Sequence, residues 1–213
     1  MPKVKGPDMM VIETESLQES AWLPTAQILD CYDFSEVYGN EQPVELELGS
    51  GDGGFILGRA RQHPERNFLA VERLLGRSRK IAKRIMREEH PNLKVLRLES
   101  SYVVERLCPP QSLEVIHIMF PDPWPKKRHH KRRLIQTDFL DLLKQALVPG
   151  GTVRFSTDHE EYFEWANEIW NEALDWKEVD LWNFADDPIT EFQQQWEAQG
   201  KPTFRTHRQL VSR

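Results

Sequence analysis

Val44-Glu45-Leu46-Glu47-Leu48-Gly49-Ser50-Gly51-Asp52-Gly53-Gly54 decides the fold of this chain. The first five residues read as a short strand that glycines terminate. Phe55 to Gln62 then reads as a helix, stopped by Pro64. A strand, a glycine turn and a helix open an α/β sheet that binds a ligand at its strand ends, because glycine lets the backbone approach that ligand closely. Phe68 to Glu72 reads as a second strand. Glu72 ends it, 21 residues after Gly51, where a ribose-binding acid belongs.

Outward from this unit, strands and helices keep alternating. Leu74 to Glu89 is a strongly basic helix, Leu93 to Leu98 a third strand and Ser112 to Phe120 a fourth. Leu134 to Leu147 reads as a helix with Pro149-Gly150-Gly151 just past its end. Thr152 to Ser156 is a fifth strand and Glu160 to Leu174 an acidic helix. Trp176 to Trp182 and Phe204 to Val211 read as a final antiparallel pair. Near-continuous apolar strands separated by helices predict an α/β fold, a mostly parallel sheet with helices on both faces. Residues 1–42 show weak periodicity and read as an N-terminal arm, with 43–213 as the domain.

Gly49, Gly51 and Gly54 satisfy G-x-G-x-x-G, so a dinucleotide is one candidate ligand, and a glycine turn that merely packs helix on strand is the plain alternative. Glu47 weighs against a dinucleotide. A carboxylate two residues before the turn suits an ammonium or sulfonium charge, and S-adenosylmethionine carries both. Glu99, after the third strand, either joins Glu47 and Glu72 around one cleft or is an exposed strand-end acid.

The chain has 213 residues, 39% of them hydrophobic, enough for one large domain. No apolar run is long enough to span a membrane, and no secretory segment opens the sequence. Cys31 and Cys108 fit a reducing, cytoplasmic compartment. The seven histidines show no metal-ligand spacing, so no metal is expected.

The net charge of −6 conceals a strong polarity. Residues 1–50 sum to −8, 51–157 to +10, 158–197 to −12 and 198–213 to +4. A basic centre of this kind captures a polyanion locally although the whole chain is acidic. Its densest part follows the fourth strand: Phe120-Pro121-Asp122-Pro123-Trp124-Pro125-Lys126-Lys127-Arg128-His129-His130-Lys131-Arg132-Arg133. Prolines hold this loop in a fixed shape. Asp122 and Trp124 are placed to clamp a purine, with the ring stacking and the carboxylate accepting N–H groups. The bland alternative is a rigid turn with an anchoring tryptophan. Asp158, after Ser156-Thr157, is either another cleft acid or a helix N-cap. Thr190-Glu191-Phe192-Gln193 alone reads only as a polar loop.

Taken together these motifs resemble the bacterial tRNA (guanine-N7)-methyltransferase family over residues 43–213. F-P-D-P-W-x-K-x-R-H-x-K-R-R at Phe120 to Arg133 is the most specific match. Leu46-Glu47-Leu48-Gly49-Ser50-Gly51, Thr157-Asp158 and Thr190-x-Phe192 match further family segments. Three positions depart from the family: Glu99 for Asp or Asn, Gln193 for Glu and Trp196 for glycine.

The resemblance implies a seven-stranded Rossmann-like class I methyltransferase fold with its last strand antiparallel. It implies methyl transfer from S-adenosylmethionine to N7 of guanine-46 in the tRNA variable loop, by a monomer or homodimer. Glu47, Gly49, Gly51, Glu72, Glu99 and Asp122 would line the cofactor cleft, with Asp122 catalytic. Lys126, Asp158, Thr190, Glu191, Phe192 and Gln193 would contact guanine or its tRNA, and Arg128, Lys131, Arg132 and Arg133 the phosphates. Methylation of an exocyclic amine, or RNA binding without catalysis, are the alternatives.

Overall fold

A computed structural model describes residues 21–23, 30–180, 187–189, 193–194, 196 and 198–211. The sheet has seven strands in the order β3-β2-β1-β4-β5-β7-β6. These are β1 Val44–Leu48, β2 Asn67–Val71, β3 Leu93–Leu96, β4 Leu113–Met119, β5 Leu147–Thr157, β6 Trp176–Glu178 and β7 Phe204–Leu210. β1 to β5 pair in parallel, and β7 runs antiparallel to both β5 and β6. This is the expected Rossmann-like order. The helices are α1 Phe34–Tyr38, α2 Gly54–Gln62, α3 Leu75–Arg87, α4 Ser100–Tyr102, α5 Thr137–Ala146 and α6 Glu160–Glu172.

Alternation within the strands divides the core in two. Leu46, Leu48, Leu69, Val71, Ile116 and Ile118 pack with α5 and α6 on one face. Phe68, Ala70, Leu93 and Val95 pack with Ile56, Leu57 and Ile81 of α2 and α3 on the other. The α2 side turns polar at the sheet centre. Glu45 and Glu47 of β1 point there, and both are buried. His117 of β4 pairs in register with Glu47, and Arg154 of β5 with His117.

Three expectations shift. The fifth strand begins at Leu147, because Leu147 already pairs with Leu113 before Pro149-Gly150-Gly151 bulges out and Thr152 resumes opposite Val115. α5 starts at Thr137 rather than Leu134, because neighbours take the Ile135 backbone. Its N–H donates to the Tyr162 hydroxyl (3.2 Å), and its carbonyl accepts from Trp165 Nε1 (3.1 Å). The described parts of the expected arm pack into the domain. Ala21 and Leu23 are buried, Trp22 bridges to Val95, and the Tyr38 hydroxyl donates to the Phe68 carbonyl at 2.6 Å. Among the described residues no helix is long and apolar enough to cross a membrane.

Candidate active site

The carboxyl ends of β1 to β5 share one rim. Register pairing sets Leu48 beside both Val71 and Ile118, Val71 beside Leu96, and Met119 beside Ser156. The order reverses between β1 and β4, the switch point at which open α/β sheets bind ligands. Glu47, Glu72, Glu99, Asp122 and Asp158 therefore stand at or just beyond five neighbouring strand ends.

Backbone bonds clamp the glycine loop. The N–H groups of Gly49 and Ser50 both donate to the Val71 carbonyl, at 2.8 and 2.9 Å. Gly51 has φ +57°, and a Cβ there would meet only the Gly49 oxygen, at 4.0 Å. The loop is thus open on the side facing away from the protein. Gly53 differs: at φ +80° its Cβ would fall 2.8 Å from Ile81 Cγ1, so this glycine seats the loop on α3.

Three carboxylates surround the loop. Glu47 is 2% exposed, and its Oε2 is buried with no hydrogen-bond partner. Burial, reinforced by the Asp52 and Glu72 charges and only partly offset by a Ser50 hydrogen bond, pushes Glu47 up to about 8. Glu72 accepts from Gly51 N–H on one oxygen (2.9 Å) and from Leu74 N–H on the other (2.7 Å). It therefore organises the loop, while its remaining lone pairs can still accept from a ribose. Asp52, absent from the sequence-level candidates, accepts from Gly54 N–H at 3.2 Å, and its other oxygen lies 3.7 Å from Lys80 Nζ. A buried carboxylate with one oxygen unpartnered, beside two more acids and an open glycine loop, fits a cationic ligand and disfavours an anionic one. Among the described residues no cluster of His, Cys, Asp or Glu is placed to hold a metal.

Glu99 is exposed, three residues beyond β3, and caps α4 by accepting from Tyr102 N–H at 2.9 Å. Asp158 is not the N-cap of α6. His159 takes that duty, its ring nitrogen accepting from Tyr162 N–H at 3.3 Å, which leaves the half-buried Asp158 carboxylate to the rim.

Asp122 is exposed on a loop with unusual backbone. Phe120 and Trp124 flank it at φ 52° and 44°, values bulky residues rarely adopt. Each costs on the order of 1–3 kcal/mol, so the surroundings must hold the loop in place. Arg133 does most of this. Its Nε donates to the Pro123 carbonyl at 2.9 Å, its fork grips Glu161 at 3.2 and 2.6 Å, and Tyr162 and Trp165 lie at 5.0 and 5.3 Å from the guanidinium. Phe120 N–H also donates to the Ser156 carbonyl at 2.8 Å, tying the loop to β5.

Arg133 corrects the sequence reading. Its side chain is fully buried, so it locks the loop to α6 and is withheld from any phosphate. Replacing it with alanine should destabilise the fold by about 2–4 kcal/mol through lost packing and the lost carbonyl bond. The Glu161 pair adds little, since Glu161 is 49% exposed. Arg133→Lys, which lacks the fork, should restore little. Urea unfolding checks this, and a change under about 0.5 kcal/mol would return Arg133 to the surface.

Lys126 is exposed just ahead of a 3₁₀ turn, Lys127–Arg132, along which Arg128, Lys131 and Arg132 are exposed. The Arg132 guanidinium sits over the Trp124 ring at 4.9 Å, and the His129 edge meets that ring at 5.8 Å. The Trp124 surface expected to stack on a base therefore already carries a cation on one face. Gln193 is buried at 8% exposure, and Thr190, Glu191 and Phe192 lie outside the described residues.

Comparison with known proteins agrees with this geometry. Residues 41–206 match the family model described as "Putative methyltransferase". A Thermotoga maritima tRNA (guanine-N(7)-)-methyltransferase is 36% identical over 176 residues, 81% of this chain and 55% of that protein. The chain thus spans little more than half the length of that relative. A Streptococcus uberis protein of the same name is 31% identical, over 81% of this chain and 83% of its own. Among solved structures, the 16S rRNA methyltransferase KamB superposes with a TM-score of 0.63 at 21% identity, covering 86% of this chain and 95% of its own, a likeness of fold alone. By its family-model match and these relatives, the chain belongs to the tRNA (guanine-N(7)-)-methyltransferase family.

Proposed function

We propose that this protein methylates N7 of a guanine in tRNA, at position 46 of the variable loop, with S-adenosylmethionine as donor. The observation that carries the reading is one rim holding both halves of the chemistry. A buried Glu47 whose Oε2 has no partner, beside an open glycine loop, suits the cationic donor, and an exposed Asp122 on a rigid loop adjoins a basic turn. S-adenosylmethionine, when bound, supplies a methyl group on sulfonium, so that an N7–CH₃ bond forms as the S–CH₃ bond breaks. Guanine N7 carries no proton, so the chain need not provide a base. The purine gains positive charge instead. Asp122, accepting from guanine N1–H and the amino group, stabilises that charge where it develops. Asp158, at the next strand end, shares this task, and Gln193 and its neighbours contact the base.

Glu47 makes ligand binding pH-dependent. Burial pushes its carboxyl up to about 8, so at neutral pH it holds a proton that a cation must displace. Affinity for S-adenosylmethionine should therefore rise with pH, by at most about tenfold per unit, and flatten above about pH 8. Calorimetry at pH 7 in buffers of different ionisation enthalpy reads the released proton. Glu47→Gln should bind weakly and release none.

The exposed cations of the 3₁₀ turn hold phosphates. Binding of tRNA should weaken steeply with salt. Replacing Arg128, Lys131 and Arg132 together with glutamine should lower the log–log slope by about 0.7–0.9 for each phosphate no longer neutralised. An unaltered slope would move the RNA surface elsewhere.

The reaction itself is tested by incubating the protein with labelled donor and unmodified tRNA, then digesting to nucleosides. Label in 7-methylguanosine is expected. Label on an exocyclic amine, or donor binding without transfer, would reject the assignment.

A further inference from the structure

Asp187 and Pro188 lie in the connection between β6 and β7, ahead of Gln193, and are seated in the polar patch on the α2 side of the sheet. The Asp187 side chain is 7% exposed. Arg59 Nη1 of α2 donates to its Oδ1 at 2.6 Å, and Arg154 Nη1 of β5 lies 3.6 Å from its Oδ2. Pro188 fills the notch beside it. A Cβ on Gly58 would fall 2.4 and 2.5 Å from Pro188 Cγ and Cβ. Gly58 sits inside α2, where alanine would favour the helix, so a packing reason is needed for glycine, and Pro188 supplies it.

Arg59 is anchored apart from Asp187. Arg59 Nε and Nη2 donate to the two oxygens of Glu45, both at 2.9 Å, and Glu45 also bonds His117 Nε2 at 2.8 Å. Burial pushes the Glu45 carboxyl up, but the His117 and Arg59 bonds outweigh it and hold Glu45 well below the usual carboxylate range. α2 is therefore already tied to β1 through Glu45. Asp187 adds attachment of the β6–β7 connection.

We propose that Asp187–Pro188 is a plug, seated in a socket of Gly58, Arg59 and Arg154, that positions the segment leading to Gln193 for the RNA base. Asp187 and Gly58 are then positioning residues for substrate. The role assigned to the plug rests on the proposed reading of residues 190–193 as base contacts.

Gly58→Ala and Asp187→Asn test it. Alanine at 58 ejects Pro188 while favouring α2, so the domain should fold. Hydrogen exchange of amides in 193–200 should quicken by about tenfold or more. kcat/KM for tRNA should fall by about tenfold or more, mainly through KM, as expected of a misplaced positioning segment. Affinity for S-adenosylmethionine should stay unchanged, and Asp187→Glu should recover part of the loss. Unchanged exchange and unchanged KM in both variants would overturn the proposal. So would loss of donor binding together with global stability, which would make the cluster merely structural. If the wild type methylates no guanine, the functional reading fails, while the exchange result still decides whether the plug holds its segment.

Discussion

Gly51→Val should abolish measurable binding of S-adenosylmethionine, a loss of at least about a hundredfold, while leaving the protein folded. Two effects act together. A β-branched residue at φ +57° is strained by roughly 1–2 kcal/mol, and the loop can relieve this only by rotating the N–H that Glu72 holds at 2.9 Å. Any side chain there also projects into the open approach, since no atom outside the immediate neighbours lies closer than the Gly49 oxygen at 4.0 Å. Gly53→Ala is the informative contrast. Its Cβ would collide with Ile81 Cγ1 at 2.8 Å, inside the protein, so stability should fall first and affinity only as a consequence. Calorimetric titration beside thermal unfolding separates the two. Wild-type affinity in Gly51→Val would reject the placement of the ligand.

Much of this site was legible because parallel-sheet folds concentrate function at strand ends, and apolar runs mark those ends. Glu47, Glu72 and Asp122 each follow or close such a run, and the rim assembles them in order. Arg133 was illegible for the opposite reason. Nothing in a run of cations distinguishes the one that turns inward, and its partners Glu161, Tyr162 and Trp165 lie on α6, a separate element. The Asp187 plug hides in the same way. Arg59 and Asp187 are 128 residues apart, and Asp186-Asp187-Pro188 reads locally as a loop. A weak local signal did exist. Glu45 interrupts an apolar strand, His117 another, and Gly58 a helix, and buried strands and helices seldom carry such residues without partners. Asp52 went unread because an Asx turn explains it equally well: its oxygen bonds Gly54 N–H two residues on.

Asp122→Asn separates catalysis from binding more cleanly than any other single change. The substitution keeps the shape of the side chain and removes its charge. Asp122 is exposed, so the fold does not depend on that charge. The loop is held by Arg133 on the Pro123 carbonyl and by Phe120 on Ser156, both untouched. Stability should change by less than about 0.5 kcal/mol. Binding of tRNA should change little, because phosphate contacts dominate affinity. Turnover should fall by about two orders of magnitude or more, the scale of losing one preorganised electrostatic group facing a developing charge. Asparagine can still accept one hydrogen bond, but its neutral amide opposes a purinium charge far less than a carboxylate does. The loop's strained backbone at Phe120 and Trp124 belongs to this argument: a carboxylate fixed before reaction need not reorganise during it. Single-turnover methylation at saturating donor and tRNA is the deciding measurement, since it excludes binding and product release from the observed rate. Near-normal transfer by Asp122→Asn would reduce this loop to a scaffold and shift the charge-stabilising role to Asp158, whose own asparagine variant would then carry the loss.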